Sequence, residues 1–261
     1  MQGDTLTIGG CEVLVQRLGE GPPLVVLHGE NGPRGAMPMI RALAQNFEVH
    51  VPRHVGWSGT TRASHVQTTR DLALIAQEYI ERLDAQVPVV GLSFGGWMAA
   101  EIAAVAPKLL SGMVLVSPIG IKVGPRNERD FVDIYLLASD DREATYYGHG
   151  ARPTQTDDGD GDPFLDRAIA EEATVRFCWK PYMHDATLIG RLRRIQAPTL
   201  ILSGSDDRLV LNPDYYGSYA SLIPGARHQA ISGVGHRLEE ELPQMVAERV
   251  LDFVGAPVAA S

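Results

Sequence analysis

The residues of this chain that could do chemistry are a serine, an aspartate and a histidine, each in a glycine-marked turn. Gly91-Leu92-Ser93-Phe94-Gly95 follows an apolar run and opens onto a helix-like stretch, Gly96-Trp97-Met98-Ala99-Ala100-Glu101-Ile102-Ala103. A serine nucleophile has to project from a sharp strand-to-helix turn, and GxSxG is the spacing that permits one. Its hydroxyl is weak alone, so a base must take its proton and a carboxylate must hold the base in one tautomer. Both candidates follow the serine: Gly204-Ser205-Asp206-Asp207-Arg208 after the run at 199–202, and Gly233-Val234-Gly235-His236 after a strand expected over Arg227–Ile231. The chemistry implied is attack of a serine on a carbonyl, with His236 as base and one of the two aspartates behind it.

Such a reaction also needs backbone donors where the oxyanion develops, one after the nucleophile and one from a second loop. The run at 24–27 ends in His28-Gly29-Glu30-Asn31-Gly32-Pro33, so the amides of Glu30 and Phe94 are the candidates. The Glu30 side chain is awkward there. At about 6 Å and an effective dielectric near 20, two full negative charges repel by roughly 3 kcal/mol. The carboxylate is therefore expected to turn away, to be neutralised by a cation such as Arg34, or to be protonated in a dry pocket.

These turns need elements to position them. Near-continuous apolar runs at 24–27, 87–90, 113–116 and 199–202 read as strands buried on both faces. Between and after them lie helical patterns: Leu72, Ile75, Tyr79 and Leu83 share one face, as do Leu242, Val246, Val250 and Phe253. Alternation of strand and helix implies a parallel sheet. Residues 5–8 and 12–17 flank Gly9-Gly10 and read as an edge hairpin, which makes the sheet mixed. The alternation stops between residues 119 and 196, where helical candidates at 130–138 and 165–179 surround the loop TQTDDGDGDPF. This divides the chain into a core of 1–118, a helical lid insertion of 119–196 and a second core part of 197–261. A calcium-loop reading of the acidic stretch fails on spacing: Asp158, Asp160 and Asp162 as first, third and fifth positions put Pro163 at the glycine position and Ile169 at the glutamate position.

The chain has 23 basic and 32 acidic residues, a net charge of −9, which disfavours nucleic acid as a partner. Residues 128–172, with 13 acidic and 4 basic side chains, carry a charge equal to that whole imbalance. Only Cys11 and Cys178 are present, too few for a zinc cluster or a disulfide framework, and neither metal nor organic cofactor is expected. No apolar run approaches the roughly 18–20 residues of a bilayer helix, and MQGDTLTIGG lacks the features of a signal peptide. The expectation is a cytoplasmic protein acting on a small molecule, with no membrane partner and an oligomeric state left open. Trp97, Trp179 and Tyr182 are the substrate-binding candidates, the last two within a lid aromatic set that reads equally as lid core.

Taken together, the motifs resemble the α/β-hydrolase superfamily, in its lidded branch of esterases, lactonases and carbon–carbon bond hydrolases. The resemblance spans nearly the whole chain: His28-Gly29, PRHVGWSGT, GLSFGG, APTLILSGSDDR and GVGHRLEEELP. It implies an α/β fold with a mostly parallel twisted sheet, helices on both faces and an inserted helical lid. It implies a catalytic set of Ser93, Asp207 and His236, with Asp207 preferred to Asp206 because it precedes Arg208. The expected activity is cleavage of an ester, lactone or activated ketone in a small, largely apolar substrate. The alternatives are a cofactor-free cyclase or acyltransferase, and a non-catalytic ligand-binding receptor. Glu30, Asn31 and Val55 depart from the family pattern.

Overall fold

The computed structural model describes residues 3–148 and 161–255. Eight strands form one sheet: β1 (Gly3–Ile8), β2 (Cys11–Leu18), β3 (Pro23–Leu27), β4 (Glu48–Pro52), β5 (Val87–Leu92), β6 (Leu110–Val116), β7 (Thr199–Gly204) and β8 (Arg227–Ile231). Their order is β1-β2-β4-β3-β5-β6-β7-β8. The expected hairpin is there: β1 and β2 pair antiparallel through Gly9 and Gly10, both at positive φ, where glycine carries no steric cost. β2 also runs antiparallel to β4, and the remaining pairs are parallel.

The apolar runs are continuous because both faces are covered. In β3, Leu24 and Val26 belong to one buried cluster while Val25 and Leu27 belong to the other. Helices α1 (Met37–Leu43) and α9 (Pro243–Val254) pack on the first side through Ile40, Leu43, Val246 and Val250. On the second side lie α2 (Thr69–Glu81) and α3 (Phe94–Val105), contributing Leu72, Tyr79, Ile80 and Ile102. The start of α2 is fixed by a capping box, in which Thr68 accepts from the Asp71 amide and Asp71 reaches back to the Thr68 amide. Eleven of the twelve residues of α3 are buried, so this helix is a core element apolar on nearly every side.

Between β6 and β7 stand a short 3-10 turn (Ile134–Leu136) and the helices α4 (Ser139–Tyr146), α5 (Pro163–Cys178) and α6 (Ile189–Leu192). The helix expected over 130–138 reduces to that single turn. Asp130 is instead spent on the backbone amides of Val123 and Gly124 and on Lys122, which ties a loop together rather than starting a helix. The helix expected over 165–179 begins two residues earlier, because Asp162 caps it through the Phe164 amide and Pro163 suits its first position. Residues 154–160 of the acidic loop lie outside the described residues. α7 (Tyr215–Ser221) and α8 (Leu238–Glu241) complete the order. Among the described residues no helix is long and apolar enough to cross a membrane.

Close approach of backbone to backbone makes the packing testable. A Cβ on Gly95 would lie 2.0 Å from the Leu27 carbonyl oxygen, whereas one on Gly217, within α7, would meet nothing within 4 Å. Gly95→Ala should cost about 3 kcal/mol or more in urea unfolding. Gly217→Ala should be neutral or add up to about 1 kcal/mol. Equal sensitivity at the two positions would contradict this packing.

Candidate active site

A single residue, Ser93, joins β5 to α3, and it does so at φ 45° and ψ −106°. A non-glycine residue in such a conformation costs on the order of 1–3 kcal/mol and persists only when its surroundings dictate it. Here they do. The Ser93 amide donates to the Val116 carbonyl at 2.8 Å, and its carbonyl accepts from Gly96 at 3.0 Å and Ile119 at 3.3 Å. Glycine is required at 91 and 95, since any Cβ there would collide with the backbone of Gly96 or Leu27. The turn throws the hydroxyl to the end of the sheet and leaves the Phe94 amide in the first helical turn, where N–H groups have no intrahelical acceptor.

Two further strand ends bring partners to that hydroxyl. His236 lies in the loop after β8, with Nε2 at 2.8 Å from Ser93 Oγ and Nδ1 at 2.8 Å from Asp207 Oδ2. Asp207 follows β7 and is anchored by four contacts in all: His236, the Tyr216 hydroxyl at 2.5 Å, and the amides of Leu209 and Val210. Asp206 bonds to the neighbouring Ser205 hydroxyl. Because a carboxylate accepts at Nδ1, that nitrogen carries the proton and Nε2 is left to accept from Ser93. Burial alone would push the Asp207 carboxyl up, but His236, Tyr216 and the Val210 amide together hold it below the ordinary range. Burial would likewise depress His236, yet Asp207 foremost, then Glu30 and Glu239, raise it above the usual histidine value.

The loop after β3 is held by paired rings. His28 and His54 stack at 3.6 Å, and the His54 amide donates to His28 Nε2, so His28 carries its proton on Nδ1 and donates to the Gly29 carbonyl. Burial keeps both neutral, pushing His54 down to about 4. The Glu30 carbonyl accepts from the Trp57 indole at 2.7 Å and from Thr174 at 3.3 Å, which fixes the peptide of the following turn.

The Glu30 carboxylate is only 6% exposed and is paired with a cation, though not the one expected. Arg34 is engaged by Asp166 at 2.8 Å; the partner of Glu30 is Arg237, at 3.4 Å from Oε1. Oε2 has no hydrogen-bond partner of ordinary geometry within the protein. Burial would raise this carboxyl, but Arg237, His236, its own amide and the Ser93 hydroxyl outweigh burial and hold it below the ordinary value. The side chain thus remains charged beside the serine and does not turn away. Arg237 also pairs with Glu240 at 3.0 Å and lies over the Tyr146 ring at 4.1 Å. Its neighbour Glu239 is buried among charges and is pushed up to about 8.

A cavity of about 250 Å³ opens in front of these groups, under α4 and α5. Five arginines and five carboxylates are among its lining residues, Glu30 and Arg237 included, and Trp57, Tyr135, Tyr146, Tyr147 and Phe164 stand among them, so the wall is part charged and part apolar. The charged part comes largely from α4 and α5, which turn Arg142, Asp166, Arg167 and Glu171 toward it. Trp97, Trp179 and Tyr182 are not on this wall. Trp97 is buried against Phe94 and Gly120; Trp179 is half exposed beside Tyr135; the Tyr182 hydroxyl is used by the Ile134 amide and the Val132 carbonyl. Arg237 and Tyr216 were not singled out from the sequence. Adjacency to His236 is a signal for the first; no local pattern marks the second. Among the described residues no cluster of three or more His, Cys, Asp or Glu side chains is arranged to hold a metal.

Comparison with known proteins agrees with this fold. Residues 24–249 match the model of the alpha/beta hydrolase family. A Mycobacterium tuberculosis protein named for non-heme bromoperoxidase activity, BpoC, is 28% identical over 207 residues, 75% of this chain and 78% of that protein. Carboxylesterase YbfK of Bacillus subtilis is 24% identical over 262 residues, 94% of this chain and 84% of the relative. The crystal structure of CarC, a serine hydrolase involved in carbazole degradation, superposes with a TM-score of 0.76 at 20% identity, covering 97% of this chain and 98% of that one. The match over most of its length, on a mostly parallel sheet with helices on both faces, makes this chain an enzyme of the alpha/beta hydrolase family.

Proposed function

We propose that this hydrolase cleaves an ester or related acyl bond of a small substrate by a serine mechanism. The observation that carries the reading is the unbroken line from Asp207 through His236 to Ser93, with 2.8 Å at each link. In this reading Ser93 Oγ attacks the carbonyl carbon as its proton passes to His236 Nε2. The amide of Phe94 donates to the oxyanion, joined by that of Glu30 as it turns from its own carboxylate to the substrate oxygen. Collapse expels the leaving group, which takes the proton from His236, and water then releases the acid from Ser93 by the same steps in reverse roles. Asp207 stabilises the imidazolium and keeps its proton on Nδ1. Residues 119–196 serve as the lid.

The substrate class follows from the wall. A cavity of about 250 Å³ suits a small acyl or leaving group, and ten charged lining residues beside five aromatic ones suit a substrate that carries a polar group on an apolar body. The esterase activity in the name of the Bacillus subtilis relative points to the same bond type.

Ser93→Ala should lower turnover of a short activated ester by roughly a thousandfold or more while leaving the fold intact by circular dichroism. Asp207→Asn should cost roughly a hundredfold to ten-thousandfold, and Asp206→Asn less than about tenfold, in the same assay. Reversed sensitivities would transfer the role to Asp206. Because the base must be neutral to accept a proton, kcat/KM should rise with pH through a midpoint above 6.5, the ordinary histidine value. Glu30→Gln removes one of the charges that raise His236, so it should shift that midpoint downward. An unchanged or higher midpoint would contradict the electrostatic account.

A further inference from the structure

A carboxylate, that of Glu30, stands beside the Ser93 hydroxyl and His236. Glu30 lines the cavity, whereas Ser93 and His236, 6% and 1% exposed, are not on its wall. A substrate carbonyl that reaches Ser93 therefore brings the atoms next to it against the Glu30 carboxylate. That carboxylate is poorly compensated. Arg237 is shared between Glu30 and Glu240, is nearer to Glu240, and leaves the trio with one net negative charge. Oε2 of Glu30 has no hydrogen-bond partner of ordinary geometry within the protein, and a buried acceptor of this kind takes a donor from water or a ligand. The Ser93 hydroxyl cannot fill this need and also serve His236, since it has one proton for two acceptors.

We propose that Glu30 is a specificity-determining residue that receives, on Oε2, a protonated amine carried by the substrate on the carbon next to the scissile carbonyl. The proposal rests on the serine-hydrolase reading and names the substrate class of that same site: esters and related acyl compounds with an α-ammonium group. An ammonium supplies the missing donor and offsets the repulsion between Glu30 and the oxyanion. A methyl group at the same place leaves Oε2 unpaired, and a carboxylate adds a second like charge. The ammonium keeps its proton throughout. Ser93 Oγ forms the new bond to the acyl carbon, the ester C–O bond breaks, and the alkoxide leaves with the proton that His236 took from Ser93.

The test compares three methyl esters of one shape at pH 6.5: that of 2-aminobutanoic acid, that of 2-methylbutanoic acid and the monomethyl ester of ethylmalonic acid. Methanol release gives kcat/KM, and each value is divided by the hydroxide-catalysed rate of the same ester to remove intrinsic reactivity. The wild-type protein should favour the ammonium ester over the neutral one by roughly ten- to a hundredfold, with the anionic ester slowest. In Glu30→Gln the ratio should fall to within about threefold, chiefly through KM if the contact is made in the bound state. A wild-type ratio near one overturns the proposal without any variant, and so does an undiminished ratio in Glu30→Gln. Labelling by a neutral fluorophosphonate separates the two failures. Labelled wild type without an ammonium preference refutes only the role of Glu30; folded wild type that neither labels nor cleaves any ester refutes the serine-hydrolase reading and this proposal with it.

Discussion

Three strand ends must meet for His236 to sit at hydrogen-bond distance from both Ser93 and Asp207, and much of the architecture follows from that constraint. β5, β7 and β8 lie within four consecutive parallel strands, so their carboxyl ends open on the same edge. The serine is held at φ 45° by glycines on either side whose missing side chains let α3 press onto β3. Gly204 repeats the device: a Cβ there would lie 2.0 Å from the Val234 carbonyl oxygen, so only glycine lets the histidine loop fold down over the end of β7. The strain at one residue is carried by a core buried on both faces of the sheet.

Charge is the second constraint. Around Ser93 the protein buries Asp207, Glu30, Glu239, Glu240, His236 and Arg237, a concentration that would be costly unless partners were fixed in advance. Asp207 is satisfied fully, by one histidine, one tyrosine and two amides. Glu30 is satisfied only by half. That contrast distinguishes a carboxylate that orients a base from one whose remaining oxygen is available to a ligand. On the cavity wall, arginines and carboxylates stand beside Tyr135, Tyr146 and Tyr147 of the aromatic set expected over residues 119–196.

What the sequence made legible was local. Strands buried on both faces show as unbroken apolar runs, the Gly9-Gly10 turn shows as a hairpin, and the glycine spacing around Ser93 marks a strand-to-helix turn; from these the α/β-hydrolase fold is readable. β4 escaped because Glu48 and His50 interrupt its apolar pattern, and His50 is accommodated by a 2.5 Å bond to Tyr79 that no local rule foretells. The short turn at Ile134–Leu136 escaped because Asp130 bonds backward to residues 123 and 124. At the site, Ser93, Asp207 and His236 each carry a local motif, and their side chains meet. Pairings across the fold carry none: Arg237 with Glu30, Arg34 with Asp166, and Tyr216 with Asp207. For the same reason Trp97, Trp179 and Tyr182, chosen for residue type, stand away from the cavity wall that decides what enters.

The central claim is that the hydroxyl of Ser93, activated through His236, is the nucleophile. The most direct measurement is peptide mapping by mass spectrometry after brief exposure of the folded protein to a fluorophosphonate. The account predicts one adduct, on the peptide that contains Ser93, formed faster as pH rises through the titration of His236. An adduct on another residue, or a folded and unmodified protein, would contradict it.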